Sequence, residues 1–268
     1  MKTGPNLFLL TQPVLKKHTA ILVMLLFVNL IPDVSAQSNE DSKKPLHFSG
    51  VITATNNGIS VIPSFSLGKP AVMFELSLGG ERLSFDPQLR FSTQGKPWSF
   101  VFWWRYKIVN NDNFQFRVGA HPAFLFSTNT YIEDGAPAEV IKTNRFLAME
   151  LAPVFVVSDK IKLMPYMIRA HGFDPGTRNN LYLTFITSFS DLAITKNIRA
   201  GITPQVFFLK VDENSGYYVA SALSVSHDKC PLSLGIMTNK KLKSEVESKD
   251  FIWNVSLVYT FDNNYKRL

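Results

Sequence analysis

The chain has 268 residues, 46% of them hydrophobic and 13% aromatic, with 22 Phe and a net charge of +7. That apolar content excludes a disordered chain, and a mean hydropathy of +0.04 excludes a bundle of transmembrane helices. One Cys and five His exclude a disulfide scaffold and a thiolate zinc site, and leave little for an all-His metal site.

Residues 1–36 read as a secretory signal peptide. Lys16 and Lys17 close a basic region, Ala20 to Leu30 is apolar apart from Asn29, and Val34-Ser35-Ala36 supplies small residues for cleavage. The apolar run is too short for a membrane helix, which needs about 20 residues. No Cys follows it to carry a lipid anchor. Loss of Lys2, Lys16, Lys17 and Asp33 with the leader leaves a mild positive excess, not a nucleic-acid footprint. Residues 37–58 are expected as a periplasmic lead-in, polar from Gln37 to Leu46. Within it, Phe48 to Thr55 is strand-like but breaks the up-and-down parity. It is therefore assigned to the periplasmic rim or the lumen, outside the wall.

From residue 59 the chain alternates with period two. Trp98, Phe100, Phe102, Trp104, Tyr106 and Ile108 share one face, and Ser99, Val101, Trp103, Arg105 and Lys107 the other. Phe114, Phe116, Val118 and Phe124 oppose Gln115, Arg117, Gly119 and His121 in the same way, and Phe251 to Phe261 repeats the pattern. Alternation of this length is a β signal, about twice the length of a soluble sandwich strand and close to that of a tilted membrane strand. Twelve strands are predicted: 59–67, 71–79, 82–93, 97–109, 114–127, 145–157, 161–170, 181–190, 198–210, 216–226, 231–238 and 250–261. Short turns follow the even strands. The long connections, 128–144, 171–180 and 239–249, all follow odd ones. Short periplasmic turns and longer outer loops are the asymmetry of outer-membrane barrels, which puts both termini in the periplasm.

Five odd strands carry a central proline: Pro63, Pro87, Pro122, Pro165 and Pro204. Pro153 adds one on an even strand. Each has apolar residues two places away and is expected on the lipid face. Proline cannot donate to a ladder, so its recurrence predicts bulges or gaps that set curvature.

The inward phase carries charge. Arg90, Arg105, Lys107, Arg117, Arg145 and Arg199 are assigned to the lumen with Glu75, Asp86 and Glu150, and His121 joins them. Such a set either fills a narrow bore with ion pairs or lines a basic pore for small anions or acidic sugars. No G-x-S-x-G, P-loop, H-E-x-x-H or dinucleotide fingerprint occurs. His171 with Asp174 is an ordinary turn pair. Cys230, beside Pro231, is a spare thiol.

The leader, the long alternating strands, the end Tyr259-Thr260-Phe261 and the Trp-rich run Pro97 to Tyr106 resemble the small outer-membrane β-barrel proteins abundant in Bacteroidota. The match covers about 47–261 and departs from the class pattern in the residues Asp262 to Leu268 beyond the terminal aromatic. The resemblance implies a protein assembled from the periplasm by the barrel-assembly machinery, in contact with outer-membrane lipid. It implies no substrate.

The resulting expectation is an all-β, closed antiparallel up-and-down transmembrane barrel over 59–268. It is non-enzymatic, a narrow channel or an envelope structural or interaction protein. A basic-lined porin, a lipid-modifying outer-membrane enzyme and a secreted soluble β-barrel binding protein are the alternatives. No cofactor, metal or nucleic acid is expected; small anionic solutes are the expected cargo.

Overall fold

The computed structural model describes residues 46–265, other than 61, 134 and 135. The expected leader, the polar stretch before Leu46 and residues 266–268 lie outside the described residues. Period-two alternation produces twelve strands: β1 (Leu46–Thr55), β2 (Ala71–Gly79), β3 (Leu83–Ser92), β4 (Pro97–Asn110), β5 (Phe114–Glu133), β6 (Ala136–Ser158), β7 (Ile161–Gly172), β8 (Asn179–Ala193), β9 (Ile198–Val211), β10 (Asn214–His227), β11 (Leu232–Ser244) and β12 (Phe251–Tyr265). Each pairs antiparallel with its neighbours in sequence, and β1 closes the barrel on β12.

The first wall strand differs from the expected one. Leu46–Thr55 pairs with β12 from Leu46↔Tyr265 to Thr55↔Ser256, and with β2 from His47↔Gly79 to Thr55↔Ala71. The stretch 59–67 is outside the wall. Pro63 there opens a single 3-10 turn, Pro63–Phe65, and Gly68 takes a φ of +70°, so the chain cannot stay extended. One strand replaces the other in the same direction, and the count of twelve survives the exchange.

Residues 56–70 instead turn back into the bore. Ile59 is buried, and the Trp98 indole N–H donates to the Phe65 carbonyl at 2.8 Å. The Phe65 ring lies 5.8 Å from that of Phe146 on β6. Ile62 packs against the buried cluster of Tyr182, Phe207, Leu209 and Tyr218 on β8, β9 and β10. The segment thus reaches opposite walls of the barrel. Trp98 was expected outside. The β3–β4 register steps from Arg90↔Ser99 to Phe91↔Pro97, which leaves Trp98 as the extra residue of a bulge, 3% exposed.

The other prolines interrupt the ladder in a regular way. β2–β3 pairing lapses between Glu75↔Gln88 and Leu78↔Phe85, at Pro87. β4–β5 lapses between Val101↔Ala123 and Trp104↔Ala120, at Pro122. β6–β7 lapses between Leu151↔Met167 and Phe155↔Leu163, where that register sets Pro153 opposite Pro165. β8–β9 lapses between Ile186↔Gln205 and Phe189↔Ile202, at Pro204. On its other side each odd-strand proline stays in register: Pro87↔Phe102, Pro122↔Leu147, Pro165↔Phe185 and Pro204↔Ser221.

The two faces separate as the alternation requires. Trp104, Phe185, Val206, Trp253 and Leu257 are exposed on the outside, and aromatic contacts such as Phe85–Trp104 at 4.7 Å and Phe100–Phe126 at 4.9 Å tile it. The stretch expected as a long loop at 128–144 is mostly strand, an extension of the β5–β6 hairpin that pairs through Glu133↔Ala136.

Candidate functional site in the barrel lumen

The charges and the aromatic ladder of the lumen come from the inward positions of β2 to β10. Glu150, completely buried on β6, is the centre of the charges. Its carboxylate accepts from Arg105 Nε at 2.9 Å, from Arg117 Nε at 3.0 Å and from the Tyr166 hydroxyl at 2.6 Å. Arg105 also donates from Nη1 to Asp86 at 2.9 Å, and the Ser77 hydroxyl donates to the other Asp86 oxygen at 2.7 Å. A glycine makes this meeting possible. Gly119 stands between Arg105 and Glu150 in register, and a Cβ there would come within 3.0 Å of both side chains. The Arg105 guanidinium lies 4.3 Å from the Trp103 ring centre, and the Trp103 and His121 rings are 3.9 Å apart.

A second pair stands nearer the segment 56–70. Arg90 Nη2 donates to Glu75 at 3.2 Å and to Gln88 at 3.0 Å. Arg90, Arg105 and Arg117 therefore meet Glu75, Asp86 and Glu150, three cations against three carboxylates.

The remaining expected lumen charges lie elsewhere. Arg145 is exposed on the face opposite Glu150. The β5–β6 register is unbroken between them, and they are an odd number of positions apart, so both cannot point inward. Arg145 instead binds Asp174 in the loop 173–178 through Nε at 3.1 Å, Nη2 at 2.8 Å and its backbone amide at 2.7 Å. These donors hold the Asp174 carboxyl down at about 2. Their contribution to docking the loop is complete above the ordinary carboxylate range and is lost as pH falls through about 2. Arg199 keeps the inward phase but sits at the rim of the short turns, 3.6 Å from Asp191 and 3.5 Å from Asp228. Lys107 is in register with Arg117 on the same face, and its ammonium forms no ion pair among the described residues.

An aromatic ladder continues the lumen wall from the Tyr166 contact with Glu150. Tyr166, Tyr182, Phe207 and Tyr218 step across β7 to β10, with ring separations of 6.4, 5.2 and 4.9 Å. Its sequence signal is a tyrosine in the inward phase of β7, β8 and β10. Between ladder, charges and the segment 56–70 lies a cavity of about 440 Å³. Ile62 and Phe65 bound it on the segment side, Met73, Trp103, Tyr182 and Met237 from the wall.

One further constellation stands apart, on the lumen face of β1 and β12 at the end where the short turns lie. Ser49 Oγ is 3.1 Å from His47 Nε2, and His47 Nδ1 is 3.4 Å from Asp262. Among the described residues no cluster of His, Cys, Asp and Glu has the makings of a metal site.

No family model matches the chain, and no curated protein matches its sequence. Among solved structures it is similar to an outer membrane channel from Pseudomonas putida F1, at 10% identity over 82% of this chain and 96% of that one, with a TM-score of 0.49. It is similar to LpxR from Salmonella typhimurium at 9% identity, covering 80% and 99%, with a TM-score of 0.47. It is similar to the KdgM porin at 11% identity, covering 80% and 99%, with a TM-score of 0.45.

Proposed function

We propose that this chain is an integral outer-membrane barrel, non-enzymatic, that provides a narrow passage shut in the conformation seen. The observation that carries the reading is the reversal of polarity across a closed wall. Trp104, Val206 and Trp253 stand exposed outside while Glu150 is buried inside. Water as the outer solvent disfavours a continuous aromatic belt of this kind, and a sheet enters hydrocarbon only when closed. The short turns and both chain termini then face the periplasm, with outer-membrane lipid around the belt and the assembly machinery as the insertion partner.

Two features support closure. The Arg105–Glu150–Arg117 cluster bridges three inward strands, and the segment 56–70 crosses the bore above it. Pairing of Arg90, Arg105 and Arg117 with Glu75, Asp86 and Glu150 weakens the field that an anion pore needs and leaves Lys107 as an uncancelled cation on that face. Clefts of about 530 and 890 Å³ flank the segment, so it has room to shift. Planar-bilayer recordings should show no steady conductance for the native chain. Replacing Ile59, Ile62 and Phe65 together by Ser removes the apolar anchors of the segment and should produce frequent openings. A large, steady, anion-selective current from the native protein would overturn the reading.

A second reading, hydrolysis, is favoured by the Ser49–His47–Asp262 alignment, which has the order of a nucleophile, a base and an orienting carboxylate. Ser49 and His47 are on none of the cavities described, and both His47 and Asp262 are open to solvent. A fluorophosphonate probe should therefore leave Ser49 unlabelled at neutral pH; stoichiometric labelling lost in Ser49→Ala would replace the passage by an enzyme.

A further inference from the structure

The outward face of the wall differs from one side of the barrel to the other. On β1 to β4 and on β12 the outward phase carries no charged side chain among the described residues. Between β6 and β11 it carries Arg145, Arg169, Lys210, Lys240 and Lys243, all exposed and all cations. They gather at the end away from the short turns. Lys210 is next to last in β9, Arg169 precedes the end of β7 at Gly172, and Lys240 and Lys243 precede the end of β11 at Ser244. The register confirms their phase: exposed Met149 pairs with Arg169, Arg169 with Leu181, and Leu181 with Lys210, while Lys243 pairs with exposed Tyr217. Arg145 is neutralised by Asp174, but Arg169, Lys210, Lys240 and Lys243 form no ion pair among the described residues. Of the carboxylates at this end, Asp212 accepts from the Arg178 and Asn179 amides and Asp250 pairs with Lys241. Glu213, Glu245 and Glu247 lie past the strand ends, in the turns.

Below these cations the outer wall is recessed. An open, apolar groove of about 580 Å³ runs between β6 and β11 where the β6–β7 pairing lapses, with Pro153, Pro165, Met167, Phe185, Val206 and Phe208 along it. Groove and cations are contiguous. Met167 is two residues before Arg169 and Phe208 two before Lys210, each on the same outward phase, and Leu242 at the edge adjoins Lys243. Lys240 pairs with Val219, which pairs in turn with Val206. Tyr217 lines the groove and stands exposed at its cationic edge, a position that suits an amphipathic ring at a lipid–water interface. Walls of a recess in hydrocarbon lose dispersion contacts unless a flexible apolar chain lies in it. Long cationic side chains at the same level reach toward the interface, where the available counter-charge is lipid phosphate.

We propose that the outer wall between β6 and β11 binds a phosphorylated, multiply acylated lipid of the outer leaflet, with an acyl chain in the groove and phosphate on Arg169, Lys210, Lys240 and Lys243. This rests on the outer-membrane barrel reading above and names the lipid that one side of the belt selects. Charge complementarity decides the occupant. A lipid without net charge fills the groove but leaves the cations unmatched, and a second copy docked through the same face brings like charge against like. A phosphate group satisfies them, and the Arg169 guanidinium can hold it through two parallel N–H donors.

The test uses the full chain purified from envelopes in detergent and titrated under native mass spectrometry. The probe is bisphosphorylated, hexa-acylated lipid A; phosphatidylcholine is the lipid without net charge, and inorganic phosphate the anion without chains. Lipid A should saturate as a single adduct, at least about ten-fold tighter than phosphatidylcholine, and inorganic phosphate at the same concentration should give no adduct. Arg169→Gln with Lys210→Gln should weaken lipid A by at least about ten-fold. Lys160→Gln with Lys196→Gln, which removes two exposed cations from the short turns, should leave it unchanged. Val206→Trp, which fills the groove and alters no charge, should weaken lipid A by about ten-fold while the boiled and unboiled gel forms stay as in the native chain. If that variant fails to fold, the two glutamine pairs still decide the matter. Equal weakening by both pairs would mean diffuse attraction of anions to a cationic protein and would overturn the proposal. So would phosphatidylcholine as tight as lipid A, or a phosphate adduct that forms without chains. Failure of the barrel reading has a different mark: the native chain would be recovered as a soluble periplasmic protein rather than in the outer-membrane fraction.

Discussion

Glu150→Ala should destabilise the barrel by about 3–5 kcal/mol, the range for breaking a buried ion pair from one side. Glu150 is wholly buried and accepts from Arg105, Arg117 and the Tyr166 hydroxyl. Its removal leaves the Arg117 guanidinium without a carboxylate in a bore from which the segment 56–70 restricts water. Arg105 retains Asp86 at 2.9 Å, so the larger share of the loss falls on Arg117 and Tyr166. Unfolding in urea from detergent or lipid, followed by the shift between folded and unfolded gel bands, measures the change. The double variant Glu150→Leu with Arg117→Leu should recover part of it, because it removes a charge together with its partner. A single variant as stable as the native chain would mean that the bore is wet and the cluster screened.

Phe185→Arg should cost about 2–4 kcal/mol, as a cation on the outward face near the middle of the wall does in lipid. Phe185 lies on β8 beside Pro165, half-exposed, in the belt with Val206 and Leu183. Tyr131→Arg is the matched control. Tyr131 is as exposed as Val206, both at 56%, but it stands on the β5–β6 extension beyond the other strands, where the surroundings are aqueous. Its replacement should change stability by less than about 0.5 kcal/mol. Equal costs at the two positions, by the same unfolding assay, would mean that the belt does not end where the hairpin emerges.

Alternation alone was enough to expect a closed barrel of twelve strands, because each strand's two faces meet different solvents and the pattern repeats along the whole wall. The lumen charges Glu75, Asp86, Arg90, Arg105 and Arg117 were legible for the same reason, and the structure brings them together as pairs. Period counting breaks wherever the count itself is disturbed. The bulge at Trp98 turns an outward residue inward, and nothing local in Pro97-Trp98-Ser99 announces it. Arg145 faces outward because the unbroken strand fixes it five positions from the inward Glu150. The segment 56–70 contains apolar residues at strand-like spacing, but those residues bury themselves against Trp98, Phe146 and the tyrosine ladder, contacts distant in sequence. The ladder itself was hidden because an aromatic residue in the inward phase is indistinguishable from one in the outward phase until closure brings four of them into line.

The alternating lapses at Pro87, Pro122, Pro165 and Pro204 divide the wall into modules. Pairing along β3–β4, β5–β6, β7–β8 and β9–β10 continues past each proline; the joints between these hairpins are where it stops. Each hairpin has its own tip at the end away from the short turns. A wall made this way is stiff within a module and compliant between modules. Under lateral pressure it deforms as a hinged prism, changing the outline of its cross-section while its ladders stay intact. The most compliant hinge is the one with a proline on both sides, Pro153 against Pro165, and it adjoins Tyr166, the residue through which β7 grips Glu150. Any bending at that hinge therefore bears directly on the Arg105–Glu150–Arg117 cluster.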